Sequence, residues 1–514
     1  MHLLIALLVA RPSLFAFPTF QNPDSTLLRV LAINDFHGAL EPQVWPWSGG
    51  RPVGGAAALK PWLDSLARTC GCTTLRLDAG DEMQGTLVSN YSFGRPAIAA
   101  LNLFGIDAAA IGNHDFDWSV DTLRARMAGA RYRLLAANIT DSAGTARPDW
   151  AESWTLIERG GTRVAVIGVA LPETPLNTAS RNVRGLAFGD GAAAVRRVLP
   201  RARAAAEYVI VVAHEGAFCD GVAGAAAQPV PAAACHGEIV DLARALDPGS
   251  VDLIVSGHTH SLVNTVVNGI PIVQARSSGA GIAVVDFVRV GARREVQARI
   301  ETPFADQVRP DEGLADSLRH YAQTVAALTS RAVVRIQLEL RRVGDEYGLG
   351  RLIADAQRHI AKADVALVNN GGIRADLAAG MATYGDLYRV QPFGNRLVRL
   401  AVSGKVLKQA LEHAVAGARG PDAHVAGIEV WYDPARRDGD RITKLRLANG
   451  QGVDDGRTYT LAVSDFLASG GSGYAMLQGA PQDDVGVTDL DALIRYLAAL
   501  PQPVAGPNDE RLHR

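Results

Sequence analysis

The chain has 514 residues, more than one hydrophobic core usually organises, so we expect at least two domains. Lys and Arg total 51 against 53 Asp and Glu, and the formal net charge of -2 argues against a nucleic acid polymer as partner. The 48% apolar content is enough for sizeable cores, but no run of 18 uncharged apolar residues follows the N-terminal segment, so we expect no membrane span in the mature protein.

The first predicted element is an apolar stretch, Leu3 to Ala10, that is similar to the core of a secretory signal. Arg11 interrupts it and no Lys or Arg precedes it, so a mis-set start codon or a disordered tail is the alternative. We assign residues 1–24 to a signal-like segment and expect a periplasmic or secreted protein.

The four cysteines favour the same compartment, because an even count is typical of proteins that form disulfides. Cys219 and Cys235 bracket a short Ala-, Gly- and Pro-rich insertion that an oxidised bridge could close. Cys70 and Cys72 stay open between a strained disulfide, two thiols and weak metal ligands.

Residues 25–304 alternate short β-branched runs with Ala-, Leu- and Arg-rich stretches of helical period, which indicates a layered α/β domain. The predicted strands are Leu27–Ile33, Thr74–Leu77, Ala108–Ile111, Val164–Val169, Tyr208–Val212 and Val251–Val255. All but the fourth are followed within three residues by Asp, His or Asn. Ligands of open α/β sheets bind beyond the carboxyl ends of the strands, so we expect one site built from five loops.

Residues 305–332 are predicted to form a linker and hinge, with a polar amphipathic helix over Ala305–Leu328. Residues 333–503 are predicted to form a separate α+β domain, and residues 504–514 a solvated polar tail. The elements predicted in this second domain are the helix Leu349–Ile360 and the strands Ala366–Val368, Gly427–Tyr432, Ile442–Leu447 and Tyr459–Val463.

The first two strand-end motifs carry candidate metal ligands. Asp35 and His37 lie two residues apart, so in an extended segment they point to the same side and could bind one divalent ion. Asp81 lies between glycines that let the backbone approach closely, and its two carboxylate oxygens could bridge two cations. We expect the neighbouring Glu82 to be solvated.

The other three strand-end motifs add an amide and more imidazoles. Asn113 offers a carbonyl oxygen where further carboxylates would over-neutralise the cations, and His114 next to it is placed to meet substrate. His214, His258 and His260 follow the last two of these strands. Four candidate-ligand histidines, besides His114, and three Asp or Asn side chains at strand ends argue against coincidence.

These motifs, in this order, make the chain similar to the bacterial 5′-nucleotidase and UDP-sugar hydrolase family, a branch of the calcineurin-like metallophosphoesterases. The resemblance implies an α/β fold, with a four-layer α/β/β/α metallophosphoesterase domain followed by an α+β 5′-nucleotidase C-terminal domain. It also implies two divalent ions, which could be Mn, Zn, Co or Fe because mixed Asp, Asn and His ligands suit them all. One ion would be held by Asp35, His37, Asp81 and His260, and the other by Asp81, Asn113, His214 and His258.

The chemistry expected of such a site is phosphoric ester hydrolysis. Two ions about 4 Å apart would neutralise the ester and generate a bridging hydroxide that attacks phosphorus in line with the leaving oxygen. His114 would stabilise the phosphoryl oxygens or the leaving group as a cation. Asp117 matches the carboxylate that orients this histidine in the family, with Asp115 as the alternative.

The resemblance assigns substrate binding to the second domain. Arg374 would grip a phosphate or a similar anion, Asn369 would lie near the base, and Phe393 and Phe466 would sandwich the base. The full predicted set is Asn369, Arg374, Phe393, Asn395, Phe466, Ser472 and Arg342.

The sequence departs from the family pattern in this domain at three places. Asn370 stands where a Gly is usual, and Ser472 stands where an Asp accepts the ribose hydroxyls. The upstream arginines are represented only by Arg341 and Arg342, about one residue out of register. Nucleotide binding is therefore expected to be loosened or retuned.

The leading hypothesis is hydrolysis of nucleoside 5′-monophosphates, with UDP-sugars as further substrates, by a monomer. A 2′,3′-cyclic-nucleotide 2′-phosphodiesterase with 3′-nucleotidase activity is the alternative, which Ser472 keeps open. A third hypothesis is a non-catalytic binding protein of the same fold, against which the complete ligand set and His114 argue.

Overall fold

The computed structural model describes residues 26–222, 228–290, 293–417 and 420–514. The predicted signal-like segment, 1–24, lies outside the described residues. Within the part of the chain that is described, none of the helices is both long and apolar enough to cross a membrane.

The first domain consists of eighteen strands and seven helices among the described residues. The strands are β1 Thr26–Ile33, β2 Gln43–Val44, β3 Pro52–Val53, β4 Thr73–Asp78, β5 Ala108–Ala110, β6 Arg133–Leu135, β7 Ile139–Asp141, β8 Trp154–Arg159, β9 Thr162–Val169, β10 Leu186–Phe188, β11 Tyr208–Ala213, β12 Phe218–Cys219, β13 Cys235–His236, β14 Leu253–Ser256, β15 Leu262–Val267, β16 Ile270–Ala275, β17 Ile282–Val290 and β18 Arg293–Glu301. The helices are α1 Ala56–Arg68, α2 Leu87–Asn90, α3 Arg95–Phe104, α4 Val120–Met127, α5 Thr174–Asn177, α6 Gly191–Ala205 and α7 Glu238–Ala245.

Two six-stranded sheets form the centre of this domain, in the orders β18-β17-β1-β4-β5-β6 and β15-β16-β14-β11-β9-β8. Alternate residues of each central strand face the other sheet, so Val30 of β1 and Ile210 of β11 share one buried cluster. Their neighbours Leu31 and Val211 face outward, into clusters with α1 and α3 on one side and with α6 and α7 on the other. The predicted four-layer α/β/β/α architecture is confirmed.

The strands β1, β4 and β5 run parallel in one sheet, and β9, β11 and β14 run parallel in the other. All six predicted strands of this domain are present within two residues of their predicted bounds. Because parallel strands end at the same edge, the loops after β1, β4, β5, β11 and β14 converge there. The site residues predicted for the first domain lie on these five loops.

The linker helix begins later than predicted. A short 3₁₀ turn covers Ala305–Gln307, and α8 runs over Glu312–Thr329. Asp311 caps α8 by accepting a hydrogen bond from the Leu314 amide, and the preceding Pro310 keeps the chain out of helical geometry. Leu314 and Leu318 of α8 are buried in the core of the first domain, so the helix is anchored there.

The second domain follows α8. Its strands are β19 Ala332–Ile336, β20 Val365–Asn369, β21 Gly380–Thr383, β22 Arg396–Ser403, β23 Ala423–Ala426, β24 Ile428–Tyr432, β25 Ile442–Leu447, β26 Thr458–Ser464, β27 Gln482–Thr488 and β28 Leu512–His513. Its helices are α9 Gly348–Ala361, α10 Tyr384–Val390, α11 Gly404–Ala414, α12 Asp465–Ala468 and α13 Asp489–Ala499. A mixed sheet in the order β23-β20-β26-β22-β27 separates a core under α9 and α13 from one under α11, which confirms the predicted α+β class.

The C-terminal segment corrects a prediction. Residues 504–514 were expected to be a solvated tail, but the Val504 amide donates to the carbonyl of Arg335 in β19, its carbonyl accepts from the Gln337 amide, and β28 pairs with β24. Arg511 is only 8% exposed, and its guanidinium donates to both carboxylate oxygens of Asp355, at 2.8 and 2.9 Å. A two-residue strand has no periodic signal, and the polar residues around it find their partners inside the domain.

Both cysteine pairs form disulfides, Cys219 with Cys235 and Cys70 with Cys72. The first bridge joins β12 to β13 at the base of the predicted insertion. Of the three possibilities left open for Cys70 and Cys72, the structure has the disulfide.

Candidate functional site

The loops after the five strands bring their polar side chains to one place. Two groups of side chains have ligand atoms within 4.8 Å of one another and share Asp35. One consists of Asp35, His37 and His260, and the other of Asp35, Asp81 and His214. Side chains from four distant parts of the sequence therefore meet at the edge of the sheets.

The imidazole Nε2 atoms of this cluster face the carboxylates. His214 Nε2 lies 3.0 Å from Asp81 Oδ2, and His260 Nε2 lies 3.4 Å from Asp35 Oδ1. His37 Nε2 lies 3.8 Å from Asp81 Oδ2 and 3.0 Å from His260 Nε2. These distances bring the nitrogens and oxygens around a common centre, as metal binding requires.

Backbone carbonyls orient two of the imidazoles. His37 Nδ1 donates to the carbonyl of Gln84 at 2.6 Å, and His214 Nδ1 donates to the carbonyl of Ala79 at 2.7 Å. A hydrogen bond at Nδ1 leaves Nε2 as the nitrogen that can bind a cation.

Several of these residues adopt left-handed backbone conformations, which are rare for residues with a side chain. The affected candidate ligands and their φ angles are Asp35 (51°), His37 (51°), Asp81 (57°), His258 (71°) and His260 (54°). Such strain concentrates at functional sites, where surrounding structure holds the geometry. Here it turns the side chains after three strand ends inward.

Asn113 and His258 complete the predicted ligand set. The Asn113 Oδ1 atom is buried and has no hydrogen-bond partner among the described residues, a costly state that a cation would relieve. The His258 ring lies 5.4 Å from the His214 ring, and its backbone amide donates to Asp35 at 3.0 Å. The buried oxygen and the mixed carboxylate, amide and imidazole donors fit divalent metal ions.

The electrostatics of the cluster keep most donors in the form that binds metal. Burial would raise the pKa of Asp35, but His260 and His214 outweigh it and lower this pKa to about 2. Burial lowers the pKa of His37 to about 3 and that of His258 to about 3, so both imidazoles are neutral. Burial also acts against the His214 cation, yet Asp81 raises its pKa to about 10. The carboxylates of Asp35 and Asp81 therefore stabilise positive charge in this cluster.

His114 lies at the edge of the cluster and pairs with Asp117. Its Nδ1 atom lies 2.8 Å from Asp117 Oδ2, and Asp117 Oδ1 accepts a hydrogen bond from the Thr178 hydroxyl at 2.8 Å. Burial opposes the imidazolium, but Asp117 and Asp81 together raise the pKa of His114. Asp115, the alternative partner, instead accepts from the backbone amides of Gly112 and Glu82.

Glu82 is buried rather than solvated, which corrects the expectation. Its Oε2 atom accepts a hydrogen bond from the Tyr132 hydroxyl at 2.8 Å, and burial raises the pKa of its carboxyl well above the ordinary value. The side chain points into the core beneath the loop, because Asp81 takes the outward position at the metal cluster.

A cavity of about 320 Å³ lies between this cluster and the second domain. The predicted residues that line it from the first domain are Asp81, Asn113, His114, Asp117, His258 and His260. Those that line it from the second domain are Asn369, Arg374, Phe393, Asn395, Phe466 and Ser472.

Two residues of the second domain reach the metal cluster and the neighbouring His114. Arg374 approaches His260 Nε2 to 3.5 Å, and the Phe393 ring stacks on His114 with centroids 5.3 Å apart. The Arg374 guanidinium carbon lies 5.7 Å from the centre of the Phe393 ring. The cavity is therefore continuous from the metal cluster to the second domain.

Three other predicted substrate residues have partners within the second domain. The Asn369 amide donates to Ser472 Oγ at 3.1 Å, and Asn395 donates to Asp489 at 3.1 Å. Among the predicted substrate-binding residues, Arg342 is the one that does not line the cavity. Its guanidinium donates a hydrogen bond to the carbonyl of Ile373, so Arg342 supports the loop that carries Arg374.

The sequence analysis missed several residues at the cavity. Thr178 and Arg181 line it from the first domain, and Arg181 pairs with Asp465 of the second domain at 3.2 Å. Tyr91 and Trp118 line it as well. None of these residues follows one of the predicted strands directly. Trp118 directly follows the motif that contains His114 and Asp117, and this position is the only signal that could have indicated its place at the cavity.

Comparisons with known proteins match both parts of the chain. Residues 28–262 match the family model of the calcineurin-like phosphoesterases, and residues 324–479 match that of the 5′-nucleotidase C-terminal domain.

Relatives of known sequence align over most of this chain. A 5′-nucleotidase of Vibrio parahaemolyticus is 28% identical over 93% of this chain and 90% of its own length, and the protein UshA of Escherichia coli is 28% identical over 93% and 92%. The endonuclease YhcR of Bacillus subtilis is 28% identical over 94% of this chain, which spans only 41% of that protein's length.

Solved structures share the arrangement of both domains. A 5′-nucleotidase precursor from Thermus thermophilus has a TM-score of 0.82 at 26% identity and covers 95% of this chain and 99% of its own. The sulfate thiohydrolase SoxB of the same species has a TM-score of 0.78 at 18% identity, covering 97% and 98%, and indicates the fold alone.

Proposed function

We propose that this chain, which belongs to the calcineurin-like metallophosphoesterases with a 5′-nucleotidase C-terminal domain, hydrolyses nucleoside 5′-monophosphates. The family makes it a metal-dependent phosphoric ester hydrolase. One observation carries the choice of substrate. Arg374 and Phe393 of the second domain lie against His260 and His114 of the metal cluster, so a nucleotide held by the second domain would present its phosphate to the metals.

Two divalent ions, of Mn, Zn, Co or Fe, are proposed for the cluster. The residues that would hold them are Asp35, His37, Asp81, Asn113, His214, His258 and His260. When bound, the ions would neutralise charge on the phosphoryl group and lower the pKa of the attacking water. Asp35 and Asp81 would be the carboxylate ligands: Asp35 belongs to both groups of side chains, and Asp81 Oδ2 lies 3.0 Å from His214 Nε2 and 3.8 Å from His37 Nε2.

His114 would supply a positive charge beside the phosphoryl group. Asp117 and Thr178 hold its Nδ1 side, which leaves Nε2 free to donate to a phosphoryl oxygen or to the leaving oxygen. Arg374 would pair with the phosphate from the opposite side of the cavity. Positively charged side chains of both domains would thus contact the negatively charged phosphate of the substrate.

Phe393 and Phe466 would stack on the nucleobase, with Asn369 and Asn395 beside it. Ser472 also lines the cavity, accepts a hydrogen bond from Asn369 and is neutral, so the ribose would be held less tightly than by a carboxylate. A loosely held ribose is compatible with UDP-sugars as further substrates. It also favours the second candidate function, a 2′,3′-cyclic-nucleotide 2′-phosphodiesterase with 3′-nucleotidase activity.

Export to the periplasm or the medium is proposed as the setting, since two disulfides are typical of an oxidising compartment. We propose a monomer, because the cavity is closed by two domains of one chain.

The test is hydrolysis by the full chain loaded with Mn²⁺, compared across AMP, 3′-AMP, 2′,3′-cyclic AMP and UDP-glucose, with the nucleoside and nucleotide products separated by chromatography. The highest kcat/KM is expected with AMP. A preference for 2′,3′-cyclic AMP and 3′-AMP would support the second candidate function, the 2′,3′-cyclic-nucleotide 2′-phosphodiesterase. Binding of all four without turnover would support the non-catalytic alternative and refute the proposal.

A further inference from the structure

A second cavity, of about 780 Å³, lies within the second domain. It shares no lining residue with the cavity at the metal cluster. Its wall is formed by the start of α9, by β24 and by the C-terminal segment. Cavities of this size hold small organic ligands in other proteins, so this one is a candidate binding site that is separate from the metals.

Glu346 and Arg351 lie side by side in this wall, and each has an unused hydrogen-bonding atom. Glu346 Oε2 lies 3.4 Å from Arg351 Nη1 and accepts hydrogen bonds from the backbone amides of Arg511 and Leu512, at 3.0 and 3.3 Å. The Glu346 side chain is only 7% exposed, yet its Oε1 atom has no hydrogen-bond partner among the described residues. Arg351 Nε is buried too and, in the part of the chain that the structure describes, has no acceptor. Such atoms are costly to bury, so a ligand that supplies a donor to the acid and an acceptor to the base would be favoured.

The charges of the cavity wall are mixed in sign, which suits a ligand that carries both signs. Besides Glu346 and Arg351, Asp345 pairs with Arg514, whose Nε donates to the Tyr432 hydroxyl at 2.9 Å. In a free α-amino acid the ammonium and the carboxylate are attached to the same carbon. One acid beside one base can therefore bind both groups of such a ligand, each by a charged hydrogen bond.

Aromatic rings form another part of the wall. The Trp431 ring stacks on the His513 ring with centroids 4.6 Å apart and planes 15° from parallel, and Tyr432 follows Trp431 in β24. The cavity is larger than the charged groups of an amino acid require. Its remaining space, beside these rings, would suit a planar apolar side chain.

One wall of the second cavity is bonded to the loop that carries Arg374. Pro421 lines the cavity, and its carbonyl accepts a hydrogen bond from Asn370 Nδ2 at 3.4 Å. Asn370 Oδ1 accepts from the Tyr347 hydroxyl at 3.0 Å and from His424 Nε2 at 2.8 Å. The preceding residue of the same loop lines the cavity at the metal cluster. A Gly, which is usual at position 370 in the family, could form none of these side-chain bonds.

We propose that the second cavity is an effector site for a free aromatic α-amino acid, whose ammonium pairs with Glu346 and whose carboxylate pairs with Arg351, and that Asn370 links its occupancy to the substrate loop. The link, unlike the binding site, rests on the proposed function, because it is read out as AMP hydrolysis. A ligand that steadies Pro421 and Tyr347 also steadies the loop bonded to them, so we expect the KM for AMP to fall when the site is filled.

The binding site is tested without turnover. Isothermal titration of the Mn²⁺-loaded full chain compares three probes: L-phenylalanine, 3-phenylpropionate, which lacks the ammonium, and phenethylamine, which lacks the carboxylate. Because each lost partner removes a charged hydrogen bond, phenylalanine is expected to bind about tenfold more tightly than either of the others. No binding of phenylalanine, or equal affinity for the three probes, overturns the site.

Glu346→Gln keeps the shape of the side chain and removes its charge. We expect it to abolish the preference for phenylalanine over 3-phenylpropionate and to keep the preference over phenethylamine, which also shows that the cavity is intact. The matched control is Glu339→Gln, which removes an exposed acid of the same domain that pairs with Arg341. If Glu346→Gln leaves both preferences unchanged, phenylalanine binds elsewhere, such as at the metal cluster, and the site is overturned.

Phosphate release from AMP, measured with and without saturating phenylalanine, tests the link. The KM of the wild type is expected to fall about fivefold, at the lower end of the usual coupling between two sites, and that of Asn370→Gly not to respond. An unchanged KM in the wild type, or an equal fall in Asn370→Gly, rejects the link and keeps the binding site. Binding of phenylalanine without any AMP turnover keeps the site and rejects the proposed function, whereas AMP turnover without binding does the reverse.

Discussion

Residues of the same loop cluster have different proposed roles, as Asp81 and His114 illustrate. The Asp81 carboxylate is central, because Oδ2 faces His214 and His37 while Oδ1 accepts the backbone amide of His114 at 2.8 Å. His114 is peripheral, and its side chain is held by Asp117 rather than by a metal ligand. Removing the first side chain should therefore affect metal binding, and removing the second should affect chemistry.

We expect Asp81→Ala to lose bound metal and His114→Ala to retain two metal equivalents. Turnover of AMP by His114→Ala should fall by about 100- to 10,000-fold, the usual worth of a positioned acid or base. Metal content by mass spectrometry and phosphate release, measured on the same samples, check both statements. An equal loss of metal from the two variants would contradict this division of roles.

Ser472 offers a test of how the sugar is recognised. It lines the cavity and has φ +51°, a conformation that Asp tolerates better than most residues, so Ser472→Asp should fold without added strain. The new carboxylate could accept ribose hydroxyls. We expect the ratio of kcat/KM for AMP over p-nitrophenyl phosphate to rise by about tenfold, as for a charged hydrogen bond of about 1.5 kcal/mol. Ser472→Ala is the control, and an unchanged ratio in Ser472→Asp would remove the ribose from this position.

The residues of the metal cluster that the sequence predicted correctly share one property. Asp35, Asp81 and His214 each follow a buried strand, and the carboxyl ends of parallel strands meet by geometry. Arg181 and Tyr91 could not be predicted in the same way, because their place at the cavity depends on how two domains pack. Glu82 was assigned wrongly, because a charged residue beside a metal ligand carries no signal that distinguishes burial from exposure.

At the scale of elements, every strand that the sequence predicted is present, but other strands were not predicted, among them long ones such as β17 and β22 and the two-residue β28. The run Ile442–Leu447 was predicted with its observed bounds, because β-branched residues and turn residues mark it. The two-residue strand β28 has no such signal. It is held by β24 and by the ion pair of Arg511 with Asp355, which lie 156 positions apart in the sequence. Pairing over such a separation is not visible in a local pattern.

We expect Arg511→Ala to destabilise the second domain by about 3 kcal/mol, because it leaves the Asp355 carboxylate without its partner. Burial opposes the guanidinium charge, but Asp355 and Asp509 raise the pKa of Arg511, so the guanidinium stays charged throughout the accessible pH range. Urea denaturation followed by circular dichroism measures the change. Arg436→Ala removes an exposed pair with Asp440 and should cost almost nothing. Equal shifts in both variants would mean that the segment is not anchored by Arg511.

At the scale of the whole molecule, the proposed function requires both domains to contact one substrate. The sequence predicted two domains and a linker, and the α8 helix lies between them, packed into the first-domain core. Its role as a hinge stays a prediction. What the sequence could not indicate is the closed arrangement, because the contacts that hold it, such as Asn90 with Tyr388, join residues without a shared motif.

The closed arrangement should depend on the hydrogen bond from Asn90 to the Tyr388 hydroxyl. Tyr388→Phe removes only that hydroxyl, and one hydrogen bond of about 1 kcal/mol shifts the equilibrium toward the open form about fivefold. We expect a higher KM for AMP and a larger radius of gyration by small-angle X-ray scattering. Tyr384→Phe, on the same helix, is the control. Because Tyr388 also lines the cavity, the double variant of Tyr388→Phe with Asn90→Ala is decisive. If the two residues share one hydrogen bond, the effects of the single variants on KM are less than additive in the double variant. Full additivity would mean that Tyr388 acts on the substrate and not on domain closure.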